Sequence, residues 1–271
     1  MITTNVKPIG NALAVQDERI QLPFPALRLN WHNGNPQVTP KEGAKYFGGW
    51  YSSNDKPDFI GDIDAIGAAS WPSEITGPET WVNKDGKEYV AYSARAILAA
   101  PIASRIIWST RDGKTTSRTD VLVYMATKTK NGPVAYAPAV LGAGGWAGNY
   151  ILDAFKKFVT ETTKTRNEFA PGVGFNFFYV AVGTWGDERV TKLVGKGAQS
   201  PIVPCVYAVP GEWNEESLTR YFVGDAVAEE MNNLRRQAEE WLAEKGDDNK
   251  SPQASNSLPE LSTEPEDEFP F

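Results

Sequence analysis

The sequence predicts a mainly β, α+β chain: a Greek-key barrel core with one inserted helix, then a C-terminal helix and a disordered acidic tail. Three observations carry that expectation. Short runs rich in aromatic and β-branched residues, punctuated by turn dipeptides, fill the middle of the 271-residue chain. A single helix-spaced apolar stretch interrupts them, and the charge changes sign sharply towards the C-terminus.

Residues 1–40 are rich in Pro and Asn and lack periodicity, so they read as an irregular N-terminal arm. Residues 41–210 form the expected core. Within it, Asp85-Gly86 and Asp112-Gly113 are hairpin dipeptides that supply positive φ at little cost. The first joins 79–82 to 87–98, and the second joins 104–109 to 118–125. After the glycine-rich stretch 141–149 comes a helix, 149 to about 163, with Ile151, Leu152, Phe155, Phe158 and Val159 at helical spacing. Strands follow at 174–182, near 189–194 and at 201–209. The order of strands, one helix, then strands fits an oligonucleotide-binding (OB) barrel, a five-stranded Greek-key architecture.

Residues 211–246 hold the clearest helix, spanning 214–245, with Asn214 as N-cap and Glu215 and Glu216 in its first turn. Val227, Met231, Leu234, Ala238 and Trp241 make an apolar seam at spacings of four and three. That seam either packs on the chain's own body or pairs with a second subunit to make a homo-oligomer. Gly246 ends the helix. Residues 247–271 form the linker and tip; the stretch 246–263 has too few large apolar groups to fold and spans roughly 23 Å root-mean-square as a flexible chain.

The formal charge of −7 argues at first against a nucleic-acid partner. Divided by position it says the opposite. Residues 1–210 carry 22 basic and 18 acidic side chains, whereas 211–271 carry 5 and 16. The segment 84–196 alone holds 16 basic against 9 acidic groups. A basic body and an acidic tail are a pattern of nucleic-acid binding with protein recruitment.

Sequence-tolerant binding of single strands needs cations for phosphates and aromatic faces for bases. On the strand 118–128, alternation puts Arg118, Tyr124 and Lys128 on one face, expected wet, and Val121, Val123 and Met125 on the other. Tyr89 and Arg95 share a face of the preceding hairpin. Arg105, Arg111, Lys114 and Lys130 extend the basic stripe, with Arg111 and Lys114 on the 110–118 hairpin, and Trp146 sits in the glycine-rich stretch.

Other chemistries fare worse. One cysteine, Cys205, cannot form an internal disulfide, and one histidine, His32, cannot build a zinc site with it. Asp58, Asp62 and Asp64 could hold a divalent cation or simply line a polar loop; without an accompanying base or nucleophile they suggest no enzyme. Gly142, Gly144 and Gly148 resemble a dinucleotide-binding turn but miss its spacing by one residue. No catalytic residue, metal or cofactor is expected. Nothing in the chain approaches a signal peptide or a membrane span, so a cytoplasmic protein is expected.

The tail ends Glu264-Pro265-Glu266-Asp267-Glu268-Phe269-Pro270-Phe271. Two rings at the end of an acidic tail suit capture by a partner whose apolar pocket takes the ring while basic groups take the carboxylates. Here the chain resembles the single-stranded DNA-binding proteins of bacteria and phages, through Glu266, Asp267, Glu268, Pro270 and Phe271 together with the core–linker–tip layout. Phe269 stands where the bacterial tip often has an aliphatic residue, and the body is longer than the bacterial core. The resemblance implies an OB core that coats single-stranded DNA in a bacterial host cell, in DNA replication, repair and recombination. It also implies that the tip, Glu266 to Phe271, recruits proteins of those processes. Two rival readings stand beside it: a phage structural or scaffold-like interaction module, and a nucleotide-dependent enzyme using the Gly142–Gly148 stretch.

Overall fold

A computed structural model describes residues 20–32, 49–52, 76–82, 88–94, 96–111, 114–129, 132–169, 177–184, 190–194, 198–208 and 212–244. Its strands are Leu27–His32 (β1), Gly49–Ser52 (β2), Thr76–Val82 (β3), Glu88–Ala94 (β4), Ala96–Arg111 (β5), Lys114–Thr129 (β6) and Gly132–Gly144 (β7). The helix Gly145–Phe169 (α1) follows, then Val180–Gly183 (β8), Val190–Val194 (β9), Ala198–Ile202 (β10) and Val206–Ala208 (β11). Three helices close the described chain: Glu215–Tyr221 (α2), Asp225–Gln237 (α3) and Glu239–Ala243 (α4). The chain is thus mainly β with helices attached, and among the described residues no helix is long and apolar enough to cross a membrane.

Nine strands share one sheet in the order β11-β8-β5-β6-β7-β1-β2-β4-β3, while β9 and β10 pair separately. Within it β5, β6 and β7 form an antiparallel meander, and β8 returns through α1 to lie antiparallel beside β5. That arrangement is a Greek key, with the helix between its third and fourth strands. The sheet also curls on itself. β1 joins its two halves, pairing parallel with β7 on one side and antiparallel with β2 on the other, and β2 in turn pairs with β4. Two indoles tie distant parts of that curl together. Trp50 donates from Nε1 to the Val182 carbonyl at 2.9 Å and Trp31 to the Val203 carbonyl at 3.1 Å, with the rings stacked edge-on 4.8 Å apart.

Both faces of the central strands are buried. Val121, Val123 and Met125 face a core built with Leu29, Trp50, Leu141 and, from α1, Ile151, Phe155 and Phe158. The opposite face carries Leu122, Tyr124 and Ala126, and it is covered by Met231, Leu234, Ala238 and Trp241 from the C-terminal helices. The face of β6 expected to be wet is therefore a second core, because the helical seam predicted from sequence lands on it. Burial of each large side chain of that seam contributes about 1.5–3 kcal/mol. The seam is used within the chain, so a homo-oligomer would have to form through some other surface.

Three expected boundaries shift. The supposedly irregular arm contains β1, in which Leu27, Leu29 and Trp31 are buried and alternate with Arg28 and Asn30. The helix expected over 149–163 spans 145–169, because the glycine-rich stretch has no loop in it: β7 runs to Gly144 and α1 begins at once. The single helix expected over 214–245 is broken. Asn214 caps α2 as anticipated, its side chain accepting from the Ser217 amide in a reciprocal capping box, but the chain leaves helical geometry at Phe222 and restarts after Gly224, whose φ is +85°.

Candidate functional site

Register aligns one polar row across the sheet face that the C-terminal helices partly cover. Arg105 on β5 pairs with Asp120 on β6, Asp120 with Gly142 on β7, Gly142 with Asn30 on β1, and Asn30 with Tyr51 on β2. Directly opposed residues share a face, so these five positions line up. Asp120 is fully buried yet charged. Its Oδ1 accepts from Arg28 Nη2 and from Arg118 Nε, each at 2.8 Å, and its Oδ2 lies 3.5 Å from Arg105 Nη2. Burial by itself would push this carboxyl up, but the guanidiniums of Arg28 and Arg118 outweigh it and hold it below the ordinary carboxylate value. A buried charge of this kind persists only when it is paired and hydrogen-bonded.

Gly142 makes the row possible. A Cβ there would collide with Arg118 Nη2 and sit 2.6 Å from Asp120 Oδ1, so only hydrogen leaves the slot through which Arg118 also donates to Asn30 Oδ1. Gly148 has a similar cause, since a Cβ would meet the Thr119 hydroxyl at 2.7 Å. These glycines are accounted for by close packing inside the chain. Gly142 and Gly148, considered for a dinucleotide turn, are thus explained by packing against β6, whereas Gly144 and Gly145 at the β7–α1 junction are exposed, with open space beside Gly145.

The ten residues expected to meet DNA divide into three groups. Arg105 is corrected from groove cation to structural cation. Its side chain is 4% exposed, Nη1 donates to the Trp241 carbonyl at 2.6 Å and to Glu244 at 2.7 Å, and its guanidinium lies over the Trp241 ring. Tyr124 is likewise buried, donating to Glu230 at 3.1 Å; burial, reinforced by that carboxylate, pushes its phenol up to about 12. Trp146 packs half-buried against the first core.

Arg118 stands alone in the second group, held by Asp120 and Asn30 but still 28% exposed. For Tyr89, Arg111, Lys114 and Lys128 only the strand backbone is described, and it places Arg111 opposite Lys114 at the end of the β5–β6 hairpin. Arg95, Lys130 and the tip residues Glu266, Asp267, Glu268, Phe269, Pro270 and Phe271 lie outside the described residues, as do Asp58, Asp62 and Asp64.

Sequence reasoning missed Arg28, whose side chain is 43% exposed beside Arg118, together with Asn30, Tyr51 and the anchoring role of Asp120. The signal for β1 was legible as the Leu27, Leu29, Trp31 alternation, but its Pro-rich flanks hid it. Chemically, Arg28 and Arg118 form a pair of partly exposed guanidiniums on a buried carboxylate, preset in orientation and suited to an anionic oxygen. No protein-family model, curated protein or solved structure matches this chain.

Proposed function

We propose that this chain is a non-enzymatic, OB-type single-stranded DNA-binding protein that coats single strands and recruits replication, repair or recombination proteins through its acidic tip. One observation carries the reading: the sequence separates a body with excess Lys and Arg from a tail that is strongly acidic and ends Phe-Pro-Phe. The Greek-key sheet and the long β5–β6 hairpin, with Arg111 and Lys114 at its end, are consistent with a strand-embracing loop. The Arg28–Arg118 pair adds a phosphate contact to that proposal. Titration of the protein with poly-dT, followed by tryptophan fluorescence, tests it; saturable quenching at low salt is expected, and its absence defeats the reading.

The second reading, a protein-interaction module of a phage structural or scaffold type, draws support from one feature. Both faces of the inner halves of β5 and β6 are covered, so among the described residues that part of the sheet offers no open aromatic platform on which bases could stack. Under that reading poly-dT leaves the fluorescence unchanged.

A further inference from the structure

The break between α2 and α3 creates an exposed aromatic hollow. Phe222 lies at that break and is 41% exposed, and Phe169, at the end of α1, is 49% exposed. Together with Phe178 they line a cavity of about 680 Å³, a size within the range of specific ligand clefts. Phe222 is not a loose ring. The segment around it is bridged to residues 177–179: Tyr179 N donates to the Tyr221 carbonyl at 2.8 Å, Val223 N to the Phe177 carbonyl at 3.0 Å, and the Phe178 and Phe222 rings sit 6.0 Å apart. Backbone bonds on both sides of Phe222 therefore hold an apolar group in water, and exposed apolar patches of this kind mark binding surfaces.

The rim decides the occupant. Glu215, Asp225 and Glu229, all exposed, surround the aromatic floor, and among the described residues Arg166 is the one cation lining it. An anionic membrane or DNA would be repelled, and so would the chain's own tip, which carries Glu266, Asp267 and Glu268. We infer that this hollow is a docking site for a partner protein's segment bearing a bulky apolar side chain flanked by Lys or Arg. The apolar side chain enters between Phe169 and Phe222 while the flanking cations meet Glu215, Asp225 and Glu229. The hollow shares no lining residue with the polar row, and if the tip recruits proteins as proposed, the molecule presents two protein contacts of opposite preference: the tip to basic pockets, the hollow to basic segments.

The test uses the full chain and three fluorescein-labelled twelve-residue peptides, followed by anisotropy. One has three Phe among Lys, one has the same Phe among Glu, and one is Lys alone. The Lys–Phe peptide is expected to bind with 1:1 stoichiometry, at least tenfold more tightly than the other two. Glu229→Lys is expected to weaken it at least tenfold and Phe222→Ala at least fivefold. Should Phe222→Ala lower the melting temperature markedly, the exposed Phe169→Ala carries the same expectation. Equal binding of the Lys-only peptide would place the attraction on the acidic tail and overturn the proposal, as would binding of the Glu–Phe peptide or variants that bind like the parent. Sedimentation showing a dimer that Phe222→Ala dissociates would assign the hollow to a second copy and equally overturn it.

Discussion

At the scale of single residues, Asp120 organises the strongest electrostatics in the described structure. Three arginines from β1, β5 and β6 converge on one buried carboxylate. Removing it leaves Arg105 with Glu244 and leaves Arg28 and Arg118 partly hydrated. The loss therefore falls at the low end of the about 3–5 kcal/mol for breaking a buried ion pair from one side. Asp120→Asn is expected to lower unfolding free energy in urea by that order. The pH dependence has a definite sign. Because the folded carboxyl lies below its ordinary value, its stabilisation is present above the unfolded carboxylate pKa of about 3.9 and is lost as pH falls through the folded one. The acid limb of the stability curve below about pH 4 should flatten in Asp120→Asn, which a series of urea melts at falling pH would show. Gly142→Ala tests the same cluster sterically. Its Cβ cannot coexist with both Arg118 and Asp120 as placed, and overpacking of this kind costs about 1–3 kcal/mol.

At the scale of elements, the hairpins, the inserted helix and the Asn214 cap were legible because each has a local cause: turn dipeptides, 3.6-residue spacing, a capping side chain. Asn214→Ala should cost about 1 kcal/mol, measured as a shift in the thermal midpoint scaled by its enthalpy. What sequence could not show was which surface each element covers. The alternation in β6 is real, but Tyr124 and Leu122 face α3 and α4 rather than water, a consequence of long-range packing that no local pattern encodes. The burial of Arg105 escapes local reasoning for the same cause, since its partner Glu244 lies 139 residues away. The polar row was illegible because it depends on register among β5, β6, β7, β1 and β2. For the hairpin end, Arg111→Gln with Lys114→Gln is expected to weaken single-strand binding at every sequence. It should also reduce the slope of log K against log salt by about 1.4, or about 0.7 for each phosphate no longer neutralised. An unchanged slope in dT oligonucleotide titrations would remove this hairpin from the interface.

At the scale of the whole molecule, charge is segregated along the chain, with the basic excess on the β-rich body and the acidic excess on the C-terminal region. The C-terminal helices join the two: their seam covers the sheet, and Glu244, at the end of α4, closes on Arg105 and through it on Asp120. If the body binds DNA and the tip recruits proteins, deleting Phe269–Phe271 leaves DNA affinity unchanged or higher while abolishing capture of tip-binding partners. Loss of DNA binding in that variant would contradict the division. The most direct measurement is the equilibrium binding of a labelled dT oligonucleotide by the intact protein across a salt series from about 50 to 300 mM. Saturable binding whose log K falls linearly with log salt, at about 0.7 per phosphate neutralised, is the result the account predicts. Absence of binding at the lowest salt, or binding indifferent to salt, would contradict it.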